Sequence, residues 1–540
     1  MTRPRALLAL ACFLAATCAY AQLVPDGFAV QPLARNLSLP VAIQFLPDGR
    51  LLFAEQLTGR VRVYFEHVLG DDVIVRGVQP TPVLQLTGVA TDGGERGLLG
   101  VALDPAFPAR PYLYVHYTAV ATATTPNRIR ITRFTLTGNL DGTGDTDLIA
   151  DTLSRYDLID DIPDQATNHN GGTVRFAADG LLYVSLGEDG QACAAQDTTQ
   201  LRGKILRLRV NALPAGPGRA FRAQITPSDN PFASRPDSNA RLVAALGLRN
   251  PFRIQPDRVR NWLVIGDPGE STREELDVLV LHLPTPRPAQ PELGSDFGWP
   301  FLEGSVTGPN PGACGPVPPI LAAPEFEYDR TAQLGGAAII AAGAYWATGT
   351  GAYDFPNEYA GDLFANDYYS GTLYHLVPSG SAFAPGPDVP GQPAPGKWGT
   401  GFDGVSDWAL GRDGAFYFCR QSIGFAANSG VIGRIICTTT PPPVPPPGPT
   451  TVRLFQSPAV EGALFLVTLN ARPAALTIHD LNGRRVRRFT DPDFGLRSDG
   501  RLQVVWDGRD DDGRKVHPGL YLAHLEAGGE ESSVRVPFLR

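Results

Sequence analysis

The stretch NHNGGTVRFAADGLLYVSLGEDG, residues 168–190, sets one histidine and two acids at the two ends of a hairpin. Residues 173–176 and 181–186 are β-branched and aromatic, and Ala178-Asp179-Gly180 between them is a turn signal. Strands rise about 3.3 Å per residue, so a short strand up and a short strand back return Glu188 and Asp189 to His169. A carboxylate beside an imidazole fixes its tautomer and raises its basicity, which makes a general base near neutral pH. An ordinary loop also supplies a histidine among glycines, so the pair gains meaning only from the rest of the chain.

The same grammar recurs. PDGRLLFAEQLTGRVRVY starts at Pro47, Arg412-Asp413-Gly414 opens AFYFCRQ, and NWLVIGDPG from Asn261 is a looser version. A turn-strand-turn unit that returns along the chain is what radial sheets produce, each burying its faces against its neighbours. With 59 Gly, 50 Pro and 19% charged residues in 540, the composition favours short strands and tight turns. The expected fold is all-β, a β-propeller with one small domain added.

The net charge of −9 argues against a nucleic-acid partner, which requires a concentrated Lys/Arg face. Residues 1–21 carry Arg3 and Arg5, an apolar run and Ala19-Tyr20-Ala21, the pattern of a secretory signal peptide, so the mature chain is expected to begin at Gln22. No later apolar run is long enough to span a membrane. Cys193, Cys314, Cys419 and Cys437 then remain, an even number in an oxidising compartment. Two disulfides are expected and three pairings are open. Cys419 with Cys437 is preferred because the two flank what read as neighbouring strands.

Residues 438–451 (TTTPPPVPPPGPTT) form a stiff proline-rich linker. Residues 452–540 alternate strands with Asn-Gly and Asp-Gly turns, as a small Ig-like β-sandwich does. The acids of DGTGDTD, residues 141–147, are spaced like a calcium loop but lack its later bidentate Glu, which favours a solvated Asx turn. Nucleotide-binding GxGxxG and Walker loops, zincin HExxH and hydrolase GxSxG are absent from the sequence. Two loops are too rich in special residues to be plain connections, DGGERGLL at 92–99 and GLRNPF at 247–252. In the second, Arg249 and Asn250 offer a fixed cation and an amide to an anion.

The ordered landmarks PDGRLLFAEQLTGRV, GGERGLLGVALDPAF, HNGGTVRFAADGLLYVSLGEDG, LRGKILRLRV, ALGLRNPFR, GDPGESTREELD and DFGWPFLEG resemble the secreted soluble aldose (glucose/sorbosone) dehydrogenases that use pyrroloquinoline quinone, PQQ. The resemblance covers most of residues 26–437. It implies a six-bladed propeller over residues 22–437, with PQQ and calcium over its axis. It also implies oxidation of an aldose's anomeric carbon to a lactone, with electrons passed to an external acceptor.

Residue by residue, His169 resembles the general base, Glu188 the acid that orients it in place of the family's Asp, and Arg249 the cation that stabilises the reduced cofactor. Asn250, Asp189 and Glu95 fall at cofactor contacts, Glu95 where the glucose enzymes have Gln. Gly269 and Glu270 correspond to the loop whose main-chain carbonyls bind calcium. The chain departs from the family at three cations, with Tyr369 where Lys falls and Gly404 and Ser406 where arginines fall. Lys397, Arg420 and Arg330 are the cations elsewhere that stand to replace them. The C-terminal part resembles an Ig-like module that serves secretion or surface attachment. Two rival readings are a glycan- or protein-binding propeller without redox chemistry and a calcium-dependent lactone hydrolase.

Overall fold

The structure is a computed structural model. It describes residues 22–438 apart from 70–72, 144–145, 282–290, 310–311, 333–335, 381 and 425. Beyond these it describes 451–454, 463–468, 474–490, 495–496, 502–527 and 530–538. The signal-peptide expectation and nearly all of the proline-rich linker lie outside the described residues.

The recurring turn unit builds a repeated sheet. Asp48-Gly49, Asp179-Gly180 and Asp413-Gly414 each join the first and second strands of a sheet, with glycine φ of 95°, 74° and 80°. In each, the Asp Oδ1 accepts the backbone N–H two residues on, from Arg50 (2.9 Å), Leu181 (3.0 Å) and Ala415 (3.2 Å). These are Asx turns at the left-handed corner that a two-stranded return requires. Asn261, with φ of 58°, makes the corresponding corner before Trp262–Asp267.

Six sheets of at least four strands follow one another through these residues, antiparallel except where Gly218–Arg219 joins Leu148–Pro163 in parallel at one outer edge. Their first strands are Pro40–Phe45, Leu98–Leu103, Val174–Phe176, Arg253–Asp257, Ile339–Ala344 and Val405–Leu410. Each first strand packs on the first strand of the next sheet, and that of the sixth packs on that of the first. The sheets therefore close into a ring. The sixth sheet takes its outer strand from the other end of the chain, Phe28–Leu37, with Phe28 opposite Cys437 and Gln31 opposite Arg434. The core lies between neighbouring sheets, and the interfaces are lined by buried Val, Leu, Ile and aromatic side chains.

The axis of the ring is filled. Arg175 donates to Val101 O (2.8 Å), Ile43 O (3.0 Å) and Asp407 Oδ2 (2.6 Å), and Arg253 donates to Ser406 O (2.8 Å), Leu99 O (3.0 Å) and Phe252 O (3.1 Å). These side chains are buried, as is Ser406, which the resemblance set in the place of a cofactor-binding arginine.

The preferred cysteine pairing is corrected. Among the described residues the disulfide joins Cys193 to Cys314, with Cα atoms 5.1 Å apart. Cys419 and Cys437 do lie on neighbouring strands, but the register sets Cys419 opposite Ile432, leaving Cys437 five residues further along. At about 3.3 Å per residue that offset is far beyond disulfide reach. Residues 141–143 form the Asx turn expected, Thr143 donating N–H (3.0 Å) and Oγ1–H (2.8 Å) to Asp141 Oδ1.

The C-terminal residues form two four-stranded sheets. One runs Thr451–Leu454, Ala463–Thr468, Leu502–Trp506, Gly495–Leu496, and the other Arg485–Thr490, Ala474–His479, Gly519–Ala527, Glu530–Phe538. Their shared core has Val504 and Trp506 from the first and Leu476, Ile478, Tyr521 and Phe538 from the second.

Candidate functional site

The residues that gather at one end of the ring come largely from one repeated position, the residue or pair just after the second strand of a sheet. Gln56 follows Leu51–Glu55, Glu188 comes two after Leu182–Leu186, and Pro268-Gly269 follow Trp262–Asp267. Tyr368 follows Leu363–Asp367, and Gln421 follows Phe416–Arg420.

Hydrogen bonds link these positions round the ring. Gln421 Nε2 donates to Gln56 Oε1 (2.8 Å) and Gln56 Nε2 to Arg96 O (2.9 Å). Glu95, between them and the third sheet, accepts Asn170 N–H (3.1 Å) and both contacts of Asn250 Nδ2 (3.0 and 3.1 Å). Asn250 Oδ1 accepts Gly171 N–H (3.0 Å), and Glu188 N–H donates to Arg249 O (2.8 Å). Arg249 Nη1 reaches Pro268 O (3.1 Å) and Arg330 Nη1 reaches Gly269 O (3.0 Å). Tyr368 joins the Gln421 side of this network, donating its hydroxyl to Gln421 Oε1 (2.5 Å).

His169 and Glu188 meet as the hairpin geometry predicts. The imidazole Nδ1 is hydrogen-bonded to Glu188 Oε1, and no described residue bonds Nε2. The Glu188 side chain is buried, and its second oxygen has no partner among the described residues. His169 and Asp189 both hold φ of 60°. That conformation is costly for non-glycine residues and recurs where function requires it. Gly187 allows the close approach, because a Cβ there would lie 2.1 Å from His169 O.

Asp189 is a support of this turn. Its carboxylate is buried and accepts Gln165 N–H (2.9 Å), Ala166 N–H (2.7 Å) and Arg202 Nη1 (3.2 Å), so it faces the loop and not the opening. Arg249 is bound to Glu270, with Nε 2.9 Å from Oε2, and stacks 5.4 Å from the Trp299 ring centre. Beneath it, buried Asp267 accepts the N–H of Arg249 (2.8 Å) and Asn250 (2.6 Å), and burial still pushes its carboxyl up to about 6.

Tyr369 is 44% exposed, and its phenol feels both Glu95 and Arg330. Of the three replacement cations, Arg330 stands on the ring of hydrogen bonds. Arg420 is tied to the backbone carbonyl (2.6 Å) and carboxylate of Asp403, and Lys397 lies in a tight turn with Ala394. A hollow of about 500 Å3 beside the disulfide, lined by Gly190, Gln191, Asp197 and Arg202 among others, does not include His169.

Gln56, Gln421, Tyr368 and Glu303 escaped the sequence reading. The first three share the position after a second strand, which the recurring turns already marked. Glu303 stands in DFGWPFLEG without any spacing signal, yet its Oε1 accepts the N–H groups of Glu270, Ser271, Thr272 and Arg273 at 2.7–3.1 Å.

The FlgD Ig-like domain family model matches residues 461–531, in the C-terminal sandwich. The aldose sugar dehydrogenase YliI of Escherichia coli is 25% identical over 51% of this chain, and the quinoprotein glucose dehydrogenase B of Acinetobacter calcoaceticus is 24% identical over 53%. The matches span 63% and 55% of those relatives, less than two thirds of either. The apo crystal structure of the soluble aldose sugar dehydrogenase of Escherichia coli superposes with a TM-score of 0.53 at 20% identity. It covers 76% of this chain and 99% of that one, a likeness of fold. The Glucose / Sorbosone dehydrogenase family model matches residues 37–349, more than half of the 540 residues, and the chain belongs to that family.

Proposed function

We propose that this chain is a secreted quinoprotein dehydrogenase that oxidises the anomeric carbon of an aldose to a lactone, with PQQ as hydride acceptor and an external molecule as final electron acceptor. Membership of the family supports the reaction class. The single observation that carries it is the His169 ring, held at Nδ1 by Glu188 with Nε2 left for a substrate.

In this reading Nε2 takes the proton of the anomeric hydroxyl as the carbon loses its hydride. Glu188 keeps the Nδ1–H tautomer and stabilises the imidazolium that forms. Asp267 and Glu95 hold Arg249 and Asn250 in place from below, the first through backbone N–H groups and the second through the Asn250 amide.

A planar tricarboxylate fits the charge at this end of the ring, where the guanidinium groups of Arg249 and Arg330 stand near the half-exposed Tyr369 ring. When bound, PQQ supplies the two-electron acceptor. Of the two main-chain carbonyls that the resemblance assigns to calcium, that of Gly269 already accepts from Arg330 Nη1 (3.0 Å), which does not fit a calcium ion on that oxygen.

Removal of residues 1–21 as a signal peptide and a surface or secretory role for residues 452–540 belong to the same proposal. The FlgD Ig-like match supports the second. Among the described residues no helix is long and apolar enough to cross a membrane.

The test is dye reduction across a panel of aldoses by the chain loaded with PQQ. Wild-type turnover that falls about 10²–10⁴-fold in His169→Ala is expected, the contribution of a general base. A PQQ-loaded wild type that reduces no dye with any aldose defeats the reading.

A further inference from the structure

We infer that this chain binds its quinone without calcium, the guanidinium of Arg330 taking the ion's place at the Gly269 carbonyl. The inference rests on the quinoprotein reading above and concerns which cation stands beside the quinone.

Two successive carbonyls of the loop already face guanidinium groups, Pro268 O accepting from Arg249 Nη1 at 3.1 Å and Gly269 O from Arg330 Nη1 at 3.0 Å. The loop cannot turn these oxygens elsewhere cheaply. Glu303 Oε1 pins the N–H groups of residues 270–273, and a Cβ on Gly269 would lie 1.8 Å from Arg273 O, so the backbone is closely packed on its other side.

Arg330 is anchored in turn. It is bonded to Glu274 Oε1, and the Glu274 side chain is buried with its other oxygen on Ile339 N–H (2.9 Å). Withdrawing the guanidinium would leave Glu274 Oε1 without its hydrogen-bond partner in a buried site. Calcium sits 2.3–2.6 Å from its oxygen ligands, so an ion on Gly269 O would press against the Arg330 nitrogen on the same oxygen, and like charges repel strongly at that range.

A guanidinium can do the ion's electrostatic work. It is permanently charged, and its planar fork of donors matches a carboxylate or a pair of neighbouring oxygens. It also restores one of the cations lost where Tyr369, Gly404 and Ser406 stand.

The test is equilibrium dialysis of PQQ against the full chain, once with a calcium chelator and once with millimolar calcium. The expected wild-type Kd differs by less than about twofold between the two. Arg330→Ala is expected to weaken binding at least tenfold in chelator and Arg330→Lys less so. The double variant Arg330→Ala with Glu274→Gln, which also removes the carboxyl that Arg330 bonds, is expected to match the single Ala variant if the loss is one of binding and not of folding. Wild-type binding that collapses in chelator and returns with calcium overturns the inference while leaving the quinoprotein reading intact. An Arg330→Ala chain that binds PQQ as the wild type does also overturns it. No binding under either condition overturns both.

Discussion

Glu188 carries one more methylene than the Asp that the family resemblance sets at its position, and the structure accommodates it by burying the side chain. Only one oxygen meets His169, and the second has no partner among the described residues. Glu188→Gln keeps a hydrogen-bond acceptor for Nδ1–H but removes the charge that stabilises imidazolium. It is expected to lower kcat by about tenfold or more with little change in KM, a split that steady-state kinetics of the PQQ-loaded chain would read. A rise in KM with kcat unchanged would instead assign Glu188 to sugar binding. The His169–Glu188 pair was legible because a hairpin returns its second strand to the start of its first, which strand geometry alone dictates. Sequence does not say which of two adjacent acids turns inward to support the loop, and in this chain it is Asp189. Three hydrogen bonds from Gln165, Ala166 and Arg202 decide that.

At the scale of elements, the strand Arg273–Val280 is unusual in burying Glu274, Glu275 and Asp277 together, with Asp267 on the neighbouring strand. Burial raises Asp277 and Glu275 well above their usual range, and Asp267 to about 6 from 3.8. A carboxyl with a folded-state pKa above its unfolded one binds its proton more tightly in the native state. The native state therefore loses stability as pH rises from about 4 to 6 through Asp267, by roughly 3 kcal/mol at most, and regains it on acidification. Melting temperature is expected to rise between pH 7 and pH 5. Asp277 Oδ2 has no partner among the described residues, so Asp277→Asn is nearly isosteric and is expected to stabilise the chain by about 1–2 kcal/mol at pH 7 and by less at pH 5. A destabilised Asp277→Asn at pH 7 would mean that the charge is needed. The recurring Asp-Gly turns announced these strands from sequence. The acids on them gave no warning, because their side chains alternate into interfaces that only the closed ring creates.

At the scale of the whole molecule, the chain is closed twice. Phe28–Leu37 completes the sixth sheet, and Cys193–Cys314 ties the turn after Glu188 to a loop 121 residues away. Cross-linking so long a loop restricts the unfolded chain, so Cys193→Ser with Cys314→Ser is expected to cost about 2–4 kcal/mol, seen as a lower urea midpoint with unchanged slope. An unchanged midpoint would show that the ring holds the two loops without the bridge. The ring itself was legible from repeated turns, whereas the disulfide was not, because partners in a closed ring meet through contacts far apart in sequence.

The filled axis sets a further constraint. Arg175 and Arg253 bind carbonyls from the inner edges of several sheets, so the centre of the ring is a stopper and not a passage. If the proposed reaction takes place above this stopper, a sugar, its oxidised product and the molecule that collects the electrons would share the one open end in turn, and the expected result is two half-reactions whose initial-rate plots are parallel lines.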